Sequence, residues 1–315
     1  MSEPSKRSAD YNEITVPPDC AGLRLDSALA RLFPEHSRSR LQGWLKEGLI
    51  TLDDACAEAK HKVWGGEHLT IAVLPAPTFT DVAEDIPLTI VYEDADLVVI
   101  DKPAGLVVHP GNGNAHGTLM NALLHHAPEL VAVPRAGIVH RLDKDTSGLL
   151  VVAKTLASQT DLVRQLQART VKRHYLALVH GKVGAGGTVD APMGRHPVHR
   201  TRMAIVKNGG KEARTHYVVL ERFSRCTLIE CRLDTGRTHQ IRVHMASIAH
   251  PLVGDPVYGK TKGYVGGDIW LDTFPRQALH AFRLALVHPA SHQEMTWEAP
   301  LPADFAALLE ALVEA

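Results

Sequence analysis

Short apolar runs of strand type recur along the chain from residue 82 onward, and they constrain its fold more than any other feature. Six runs have strand length and are rich in β-branched or other apolar residues: 90–92, 97–100, 149–153, 175–179, 217–220 and 227–231. Helical segments intervene at 119–126, 158–168 and 238–250. Many strands with few helices predict an α+β domain with a central mixed or antiparallel sheet, whose loops hold the functional site.

A smaller unit precedes this domain. Leu25, Leu29 and Leu32 recur at helical spacing, a second short helix follows, and strands are predicted near residues 49–52 and 69–73. We therefore divide the chain into a disordered tail (1–12), a small α/β domain (13–75), a proline-containing linker (76–81) and the large domain (82–315).

Positive charge is concentrated in the middle of the chain. The net charge is −1, but residues 135–245 contain 20 Lys and Arg against 8 Asp and Glu. The remainder carries 14 basic against 27 acidic side chains. A basic segment on an otherwise acidic protein is typical of a surface that faces phosphates, although a solvated basic face without a partner gives the same composition.

The spacing of the cysteines and histidines and the lengths of the apolar runs further restrict the class of protein. Four cysteines and 19 histidines show no paired metal-ligand spacing, which predicts reduced thiols and no metal site. The polar start of the chain does not resemble a signal peptide, and no apolar run approaches membrane-spanning length. We therefore expect a cytoplasmic protein without a membrane partner, acting as a monomer.

One compact run carries a candidate catalytic acid. Gly-Ile-Val-His-Arg-Leu-Asp-Lys-Asp-Thr-Ser-Gly at residues 137–148 places Asp143 between Arg141 and Lys144, just before an apolar strand. Two neighbouring cations favour the charged form of a carboxylate, so Asp143 is suited to act as a nucleophile or an electrostatic stabiliser rather than as a proton donor. An isolated Arg-x-Asp is more often a surface ion pair, so the interpretation needs support from elsewhere in the chain.

Two further motifs supply that support. Residues 137–148 resemble the active-site motif of the RluA-type pseudouridine synthases. Lys-Arg-His-Tyr-Leu-Ala-Leu-Val at 172–179 resembles the second motif of this family, and Thr-Gly-Arg-Thr-His-Gln-Ile-Arg-Val-His at 235–244 resembles the third. Flanking stretches extend the resemblance over nearly the whole chain, most closely to the members that modify large-subunit ribosomal RNA.

The resemblance implies an activity and a set of roles. The expected reaction is isomerisation of uridine to pseudouridine in 23S ribosomal RNA or a large-subunit assembly intermediate, with the target base flipped into a pocket. Asp143 is then the catalytic carboxylate, Tyr175 stacks on the base and handles the C5 proton, and Arg242 forms an ion pair with Asp143. Ile241 lies on the predicted buried face of its helix. Arg242 is one position further along, so we expect its side chain to point away from the core. Leu252 is expected to help wall the uracil pocket.

The same resemblance implies residues that contact RNA. Arg141 matches the residue that enters the gap left by the flipped base, a role that suits a planar guanidinium. His140, Arg237, His239 and Gln240 flank the site, although the last three fit equally well a role in capping the helix and holding the loop. The isomerisation changes no redox state and needs no energy input, so we expect no cofactor and no nucleotide.

The N-terminal unit resembles an S4 RNA-binding domain at residues 22–26 and 37–40. Arg38, Arg40 and Lys46 are its candidate RNA contacts. The stretch Thr-Leu-Asp-Asp-Ala at 51–55 departs from the S4 pattern and adds acidic charge.

Two other functions fit parts of the sequence. Gly-Asp-Pro-Val-Tyr-Gly-Lys-Thr at 254–261 satisfies the P-loop pattern. However, no strand leads into it, the glycine-rich residues after it disfavour a helix, and Pro256 removes an amide donor, so an NTPase is disfavoured. A non-catalytic RNA-binding or ribosome-assembly factor of the same fold remains open, and it would tolerate replacement of Asp143.

Overall fold

The chain separates into two units, Met1–Thr80 and Asp81–Ala315. The computed structural model describes residues 10–33, 38–73, 82–111, 114, 116–199, 201–259 and 269–314. The predicted linker, residues 76–81, lies outside the described residues, as do residues 1–9 of the predicted tail. Among the described residues, every helix is too short or too polar to cross a membrane.

The N-terminal unit combines two helices with a four-stranded sheet. Its elements are β1 (Asp10–Thr15), α1 (Leu25–Leu32), α2 (Arg38–Lys46), β2 (Ile50–Leu52), β3 (Ala55–Cys56) and β4 (His68–Val73). The strands are antiparallel in the order β1-β4-β2-β3. Because β1 pairs with β4 from Asp10 onward, the prediction of a disordered tail is wrong for residues 10–12.

The leucine spacing in α1 explains the packing of this unit. Leu25, Ala28 and Leu29 lie on one face of the helix and are buried in a cluster with Ile50 and Leu69 of the sheet. This small unit is compatible with an S4-like domain.

The larger unit contains the remaining strands and helices. They are β5 (Thr89–Glu93), β6 (Leu97–Lys102), α3 (Leu119–His126), β7 (Ser147–Ala153), α4 (Leu156–Gln167), β8 (Lys172–His180), β9 (Gly187–Asp190), β10 (Met193–Arg195), β11 (Met203–Ile205), β12 (Arg214–Arg222), β13 (Cys226–Leu233), α5 (Gln240–Ser247), α6 (Ile269–Thr273), β14 (Leu279–Val287), β15 (Glu294–Glu298) and α7 (Ala303–Val313). Strands β10 and β11 form a separate hairpin.

Nine strands of this unit form one mixed sheet. The order is β5-β6-β7-β14-β8-β13-β12-β9, with β15 paired to β14. All pairs are antiparallel except β7 with β14, which run parallel at His280 opposite Ser147 and Ala281 opposite Gly148. Strand β14 therefore lies between β7, which follows the Asp143 loop, and β8, which carries Tyr175.

Both faces of the sheet centre are covered. Leu150 and Val152 of β7 join the main core with α3, whereas Leu149 and Val151 join a second cluster with Leu162 of α4. Successive residues of a strand point to opposite faces, so a strand covered on both sides is apolar throughout. All seven residues of β7 are accordingly buried, which gives the Asp143 loop a rigid base.

The structure confirms the α+β class and most of the predicted elements. Helix α3 has the predicted bounds, and each of the six predicted strands is present. Helix α5 is shorter than predicted because His239 and Ala249, on either side of it, adopt left-handed backbone conformations (φ 58° and 64°). Strands β14 and β15 and helix α7 were not predicted as elements.

Candidate active site

Asp143 lies in a tight turn at the edge of a cleft in the larger unit. Its carbonyl oxygen accepts a hydrogen bond from the Thr146 amide at 3.1 Å, and its side chain is 15% exposed. The cleft has a volume of about 590 Å³, which lies in the range of ligand sites. Its lining contains residues of all three sequence motifs.

A buried arginine holds the Asp143 carboxylate. Nη1 of Arg242 lies 3.0 Å from Oδ2 of Asp143, so the predicted ion pair is present. Nε and Nη2 of the same guanidinium donate to the two carboxylate oxygens of Asp255 at 2.7 and 2.9 Å. One arginine thus binds two carboxylates, and its bidentate pairing with Asp255 fixes its orientation.

The burial of Arg242 corrects the prediction that it points away from the core. Its side chain is 5% exposed, and six consecutive residues of α5, from Gln240 to Met245, are buried. Burial alone would lower the pKa of Arg242, but the hydrogen bonds and negative charges of Asp255 and Asp143 raise it overall. The charge is therefore retained inside the protein because two acids compensate for the lost hydration.

Asp255 is a site residue that sequence reasoning missed. Besides Arg242, its carboxylate accepts hydrogen bonds from the amides of Val257 and Tyr258 at 2.8 and 3.0 Å. Burial would raise the pKa of Asp255, but the hydrogen bonds and charge of Arg242 lower it overall. Residues 254–259 therefore wrap around a carboxylate rather than a nucleotide, while Lys260 and Thr261 of the P-loop pattern lie outside the described residues. The Gly-Asp-Pro sequence, typical of a turn, was the available signal.

Tyr175 lies on the floor of the cleft. It is 6% exposed in β8, and it belongs to the main core together with Ile138 and Leu279, which also line the cleft. Burial raises its pKa, Arg173 opposes that shift and Asp143 reinforces it. A neutral phenol on an apolar floor offers a stacking surface for a planar base.

Leu252 does not wall the cleft as predicted. It is fully buried in the main core and is absent from the cleft lining, because its backbone bridges to Val179 of β8. Ile138 and Leu279 occupy the apolar side of the cleft instead.

His239 faces Asp143. Its Nε2 lies 3.9 Å from Oδ1 of Asp143, and its Nδ1 lies 2.9 Å from the Tyr258 hydroxyl. The Met203 amide donates to the same hydroxyl oxygen, so Tyr258 is itself held in place and fixes the ring of His239 beside Asp143. Burial lowers the pKa of His239 despite the opposing charge of Asp143.

The other predicted RNA contacts fall into two groups. Arg141 and Arg237 are exposed on the cleft lining, and Nε of Arg237 donates to the Glu212 carbonyl at 3.0 Å. Nε2 of His140 accepts from the Val151 amide at 3.1 Å, and burial together with Arg173 lowers the pKa of His140 to about 3. Its ring is therefore neutral and supports β7 from within the cleft lining.

Gln240 is also internal. It is 3% exposed, its Oε1 accepts from Thr235 and from the Arg237 amide, and its Nε2 donates to the Arg214 carbonyl and to Thr215. With both ends of the amide in use, Gln240 holds the loop before α5, which is the alternative role that the sequence left open for it.

Lys102 supports the Asp143 loop, although nothing in the sequence singled it out. It is fully buried at the end of β6, and Nζ donates to the carbonyls of Pro103, Leu106 and Lys144 at 2.6, 3.0 and 3.0 Å. Burial lowers its pKa to about 7, and the charges of Asp145 and Asp143 oppose the shift. Three carbonyls match the three donors of an ammonium group, so the lysine ties the residue after Asp143 to the sheet.

We expect Lys102→Met to lower the free energy of unfolding by about 2 kcal/mol or more and turnover at least about tenfold, because buried carbonyls lose their donor. Thermal melting and single-turnover rates measure the two effects. Lys182→Met, which changes an exposed lysine outside the cleft lining, serves as the control. Wild-type turnover in Lys102→Met would show that this tie does not position the loop.

A cluster of Asp94, Asp96 and His288 is satisfied by hydrogen bonds rather than poised for a metal ion. Nε2 of His288 lies 2.8 Å from Oδ2 of Asp94, which also accepts from the Tyr92 hydroxyl at 2.8 Å. Nδ1 of His288 accepts from backbone amides at residues 290 and 291, so Nε2 carries the proton and is not a free ligand.

Comparison with known proteins agrees with this arrangement. The RNA pseudouridylate synthase family profile matches residues 96–247. The ribosomal large subunit pseudouridine synthase D of Nitrosomonas europaea is 62% identical, covering 98% of this chain and 90% of that protein. The protein of the same name from Pseudomonas aeruginosa is 54% identical, covering 99% and 97%. The solved structure of human RNA pseudouridylate synthase domain containing 1 shares 28% identity and a TM-score of 0.56, covering 74% of this chain and 95% of that one.

Together with these comparisons, the mixed sheet and its cleft place the protein in the class of RNA-modifying isomerases. The chain belongs to the RNA pseudouridine synthase family. The alternative of a non-catalytic factor with the same fold is not supported.

Proposed function

We propose that the protein converts specific uridines of 23S ribosomal RNA to pseudouridine, with Asp143 as the catalytic carboxylate. The observation that carries the proposal is the pairing of Asp143 with the buried Arg242 at the edge of a cleft floored by Tyr175. The names of the relatives, which specify the large ribosomal subunit, support the choice of RNA.

The reaction breaks the bond between ribose C1′ and N1 of uracil, turns the base, and joins C5 to C1′. The Asp143 carboxylate attacks C1′ in the acylal route, adds to the base in the base-adduct route, or accepts the C2′ proton as the uracil anion departs in the glycal route. All three routes require a charged, accessible oxygen. Oδ2 is occupied by Arg242, whereas among the described residues Oδ1 faces only the more distant His239, so Oδ1 is the oxygen best placed to react.

The remaining side chains handle the base. Tyr175 stacks on the flipped uracil and assists removal of the C5 proton after the new bond forms. Arg141, exposed at the cleft, fills the gap that the base leaves in the RNA. No redox change or energy input is involved, so turnover proceeds without nucleotide, divalent metal or redox partner. We place this reaction in the cytoplasm, on ribosomal RNA or a large-subunit assembly intermediate.

The proposal is tested by mapping pseudouridines in 23S ribosomal RNA from cells with and without the gene. Sites that disappear on deletion and return with the wild-type gene, but not with Asp143→Asn, support it. An unchanged pseudouridine map after deletion would reject 23S ribosomal RNA as the substrate.

The N-terminal unit is proposed to add phosphate contacts through Arg38, Arg40 and Lys46. Lys46 is exposed at the end of α2, while the side chains of the two arginines lie outside the described part of the structure. We expect the triple alanine variant to bind RNA more weakly, with a slope of log affinity against log salt shallower by roughly 0.7 to 0.9 per lost contact.

Filter binding over a range of salt concentrations measures this slope. The double variant Lys60→Ala/Lys62→Ala removes exposed basic charge from the same unit and is the matched control. Equal slopes for the triple variant and the wild type would mean that these three residues do not touch RNA.

A further inference from the structure

We propose that Arg173 forms an oxyanion-binding site inside the cleft, which receives an anionic oxygen of the RNA substrate. This inference rests on the proposed function and adds a binding residue to the same site. Arg173 lies in β8 two residues before Tyr175, so both side chains project from the same face of the strand, and both line the cleft.

The guanidinium of Arg173 is buried without a counterion. The residue is 7% exposed, and its buried Nε has no hydrogen-bond partner. In the described part of the chain, no carboxylate lies within ion-pair distance of this side chain. Arginine stays protonated in proteins, so this arrangement leaves a full positive charge in the cleft wall.

The other buried arginines of the described residues show what a structural role requires. Arg242 has Asp255 and Asp143, and Arg276 has both carboxylate oxygens of Asp304 together with backbone carbonyls. An unpaired buried charge is strongly unfavourable unless a ligand completes the site. Among these three, Arg173 alone has no anion among the described residues, and it lines the cleft beside Tyr175.

Gly236 shapes the space around this guanidinium. A Cβ added to Gly236 would lie 2.5 Å from Nη1 of Arg173, so a larger residue cannot occupy the loop while the arginine keeps its position. The backbone of Gly236 does not adopt a left-handed conformation, so a larger residue here would displace the guanidinium rather than strain the backbone. The loop between β13 and α5 therefore forms a close cover over the arginine.

The substrate offers two anionic oxygens that fit a planar guanidinium. One is a non-bridging phosphate oxygen of the flipped nucleotide or its neighbour, which is present in the bound ground state. The other is a carbonyl oxygen of the uracil anion, which gains charge only when the bond from C1′ to N1 breaks. A hydrogen bond from the charged guanidinium to either oxygen would be charge-assisted and therefore stronger than a neutral one. The positive charge of Arg173 also acts to lower the pKa values of Tyr175 and His140, which shows that it lies close to both side chains.

The test compares Arg173→Met, Arg173→Lys and Gly236→Ala with the wild type on a 23S ribosomal RNA fragment that contains the target uridine. Affinity, single-turnover rate at saturating RNA and thermal melting are measured for each. We expect Arg173→Met to lower kcat/KM roughly 10- to 100-fold, which corresponds to one charge-assisted hydrogen bond. Arg173→Lys should retain more activity than Arg173→Met, and Gly236→Ala should lose activity although its arginine remains.

Whether Arg173→Met loses RNA affinity or reaction rate identifies which substrate oxygen the guanidinium binds. If affinity falls, the slope of log affinity against log salt becomes shallower by roughly 0.7, and the saturating rate is unchanged, then Arg173 binds a backbone phosphate of single-stranded RNA. An unchanged Kd with a slower saturating rate assigns the uracil anion. If Arg173→Met has the Kd and the saturating single-turnover rate of the wild type, the proposal is overturned.

Thermal melting separates this role from a structural one. Removal of an unpaired buried charge should leave the melting temperature of Arg173→Met equal to or above that of the wild type, whereas Arg276→Met, which orphans Asp304, should melt lower. A decrease in Arg173→Met as large as that in Arg276→Met would assign Arg173 to the fold and overturn the proposal. Failure of the wild type to modify 23S ribosomal RNA would instead reject the proposed function, and Arg173→Met could still be compared with the wild type for binding of single-stranded RNA.

Discussion

Asp143→Asn is expected to lower turnover by more than about 10³-fold while RNA affinity stays within a few-fold of wild type. The substitution removes the negative charge that each of the three possible routes requires but changes little volume, and asparagine can still accept a hydrogen bond from Arg242. Single-turnover assays on a 23S ribosomal RNA fragment and filter binding at fixed salt measure the two quantities separately.

Asp145→Asn is the matched control for this prediction. Asp145 is a carboxylate of the same loop that does not line the cleft, so its replacement should leave most of the activity. Turnover of Asp143→Asn within a few-fold of wild type would remove Asp143 from the mechanism, whereas an equal loss in both variants would point to a general effect of charge in the loop.

The second large effect is expected from Arg242→Met. Removal of one partner of a buried ion pair leaves an uncompensated charge, here on Asp255, and typically costs about 3 to 5 kcal/mol of stability. Turnover should fall as well, because Asp143 loses the contact that orients Oδ2. Denaturant unfolding and single-turnover rates measure these losses.

The double variant Arg242→Met/Asp255→Asn separates stability from activity. With both members of the pair replaced, much of the lost stability should return, since no buried charge is left unpaired, whereas activity should stay low because Asp143 is still unsupported. Equal stability of the single and double variants would show that the pair with Asp255 does not account for the loss.

Acid unfolding provides an independent measure of the same pair. The folded pKa of Asp255 is lowered, so its ionisation stabilises the protein above the unfolded pKa of about 3.9, and this contribution is lost as the pH falls through the folded value. In Arg242→Met the buried carboxylate has no guanidinium, so its folded pKa should rise. The acid unfolding midpoint should then move to higher pH than in the wild type.

The sequence predicted the elements whose signals are local. Helix α3 has its predicted bounds because Thr118 and Asn121 form a capping box at its start, and β7 is recognisable from its uninterrupted apolar run. The bounds of α5 were overestimated because His239, just before the helix, adopts a left-handed backbone conformation that its local sequence does not signal.

Site residues that belong to the motifs could be predicted from the sequence. Contacts between residues that are far apart in the sequence could not. Asp143 and Arg242 are 99 positions apart, and only the family resemblance joined them before their contact was visible. Asp255, Lys102 and Arg173 were missed as site residues because their significance depends on burial: in a sequence, one acid in a turn and two basic residues in strands resemble ordinary surface charges.

The parallel contact of β7 with β14 has a consequence for the order in which the enzyme becomes competent. His280 pairs with Ser147 on one side and Leu176 on the other, so the strand that joins the Asp143 side of the cleft to the Tyr175 side is made after all three motifs. A nascent chain that has emerged only as far as Arg242 contains Asp143, Tyr175 and Arg242 but not the strand that holds the two sides of the cleft in register. We therefore expect a ribosome-bound chain to become active only after residues beyond 280 have emerged and β14 can pair with β7 and β8.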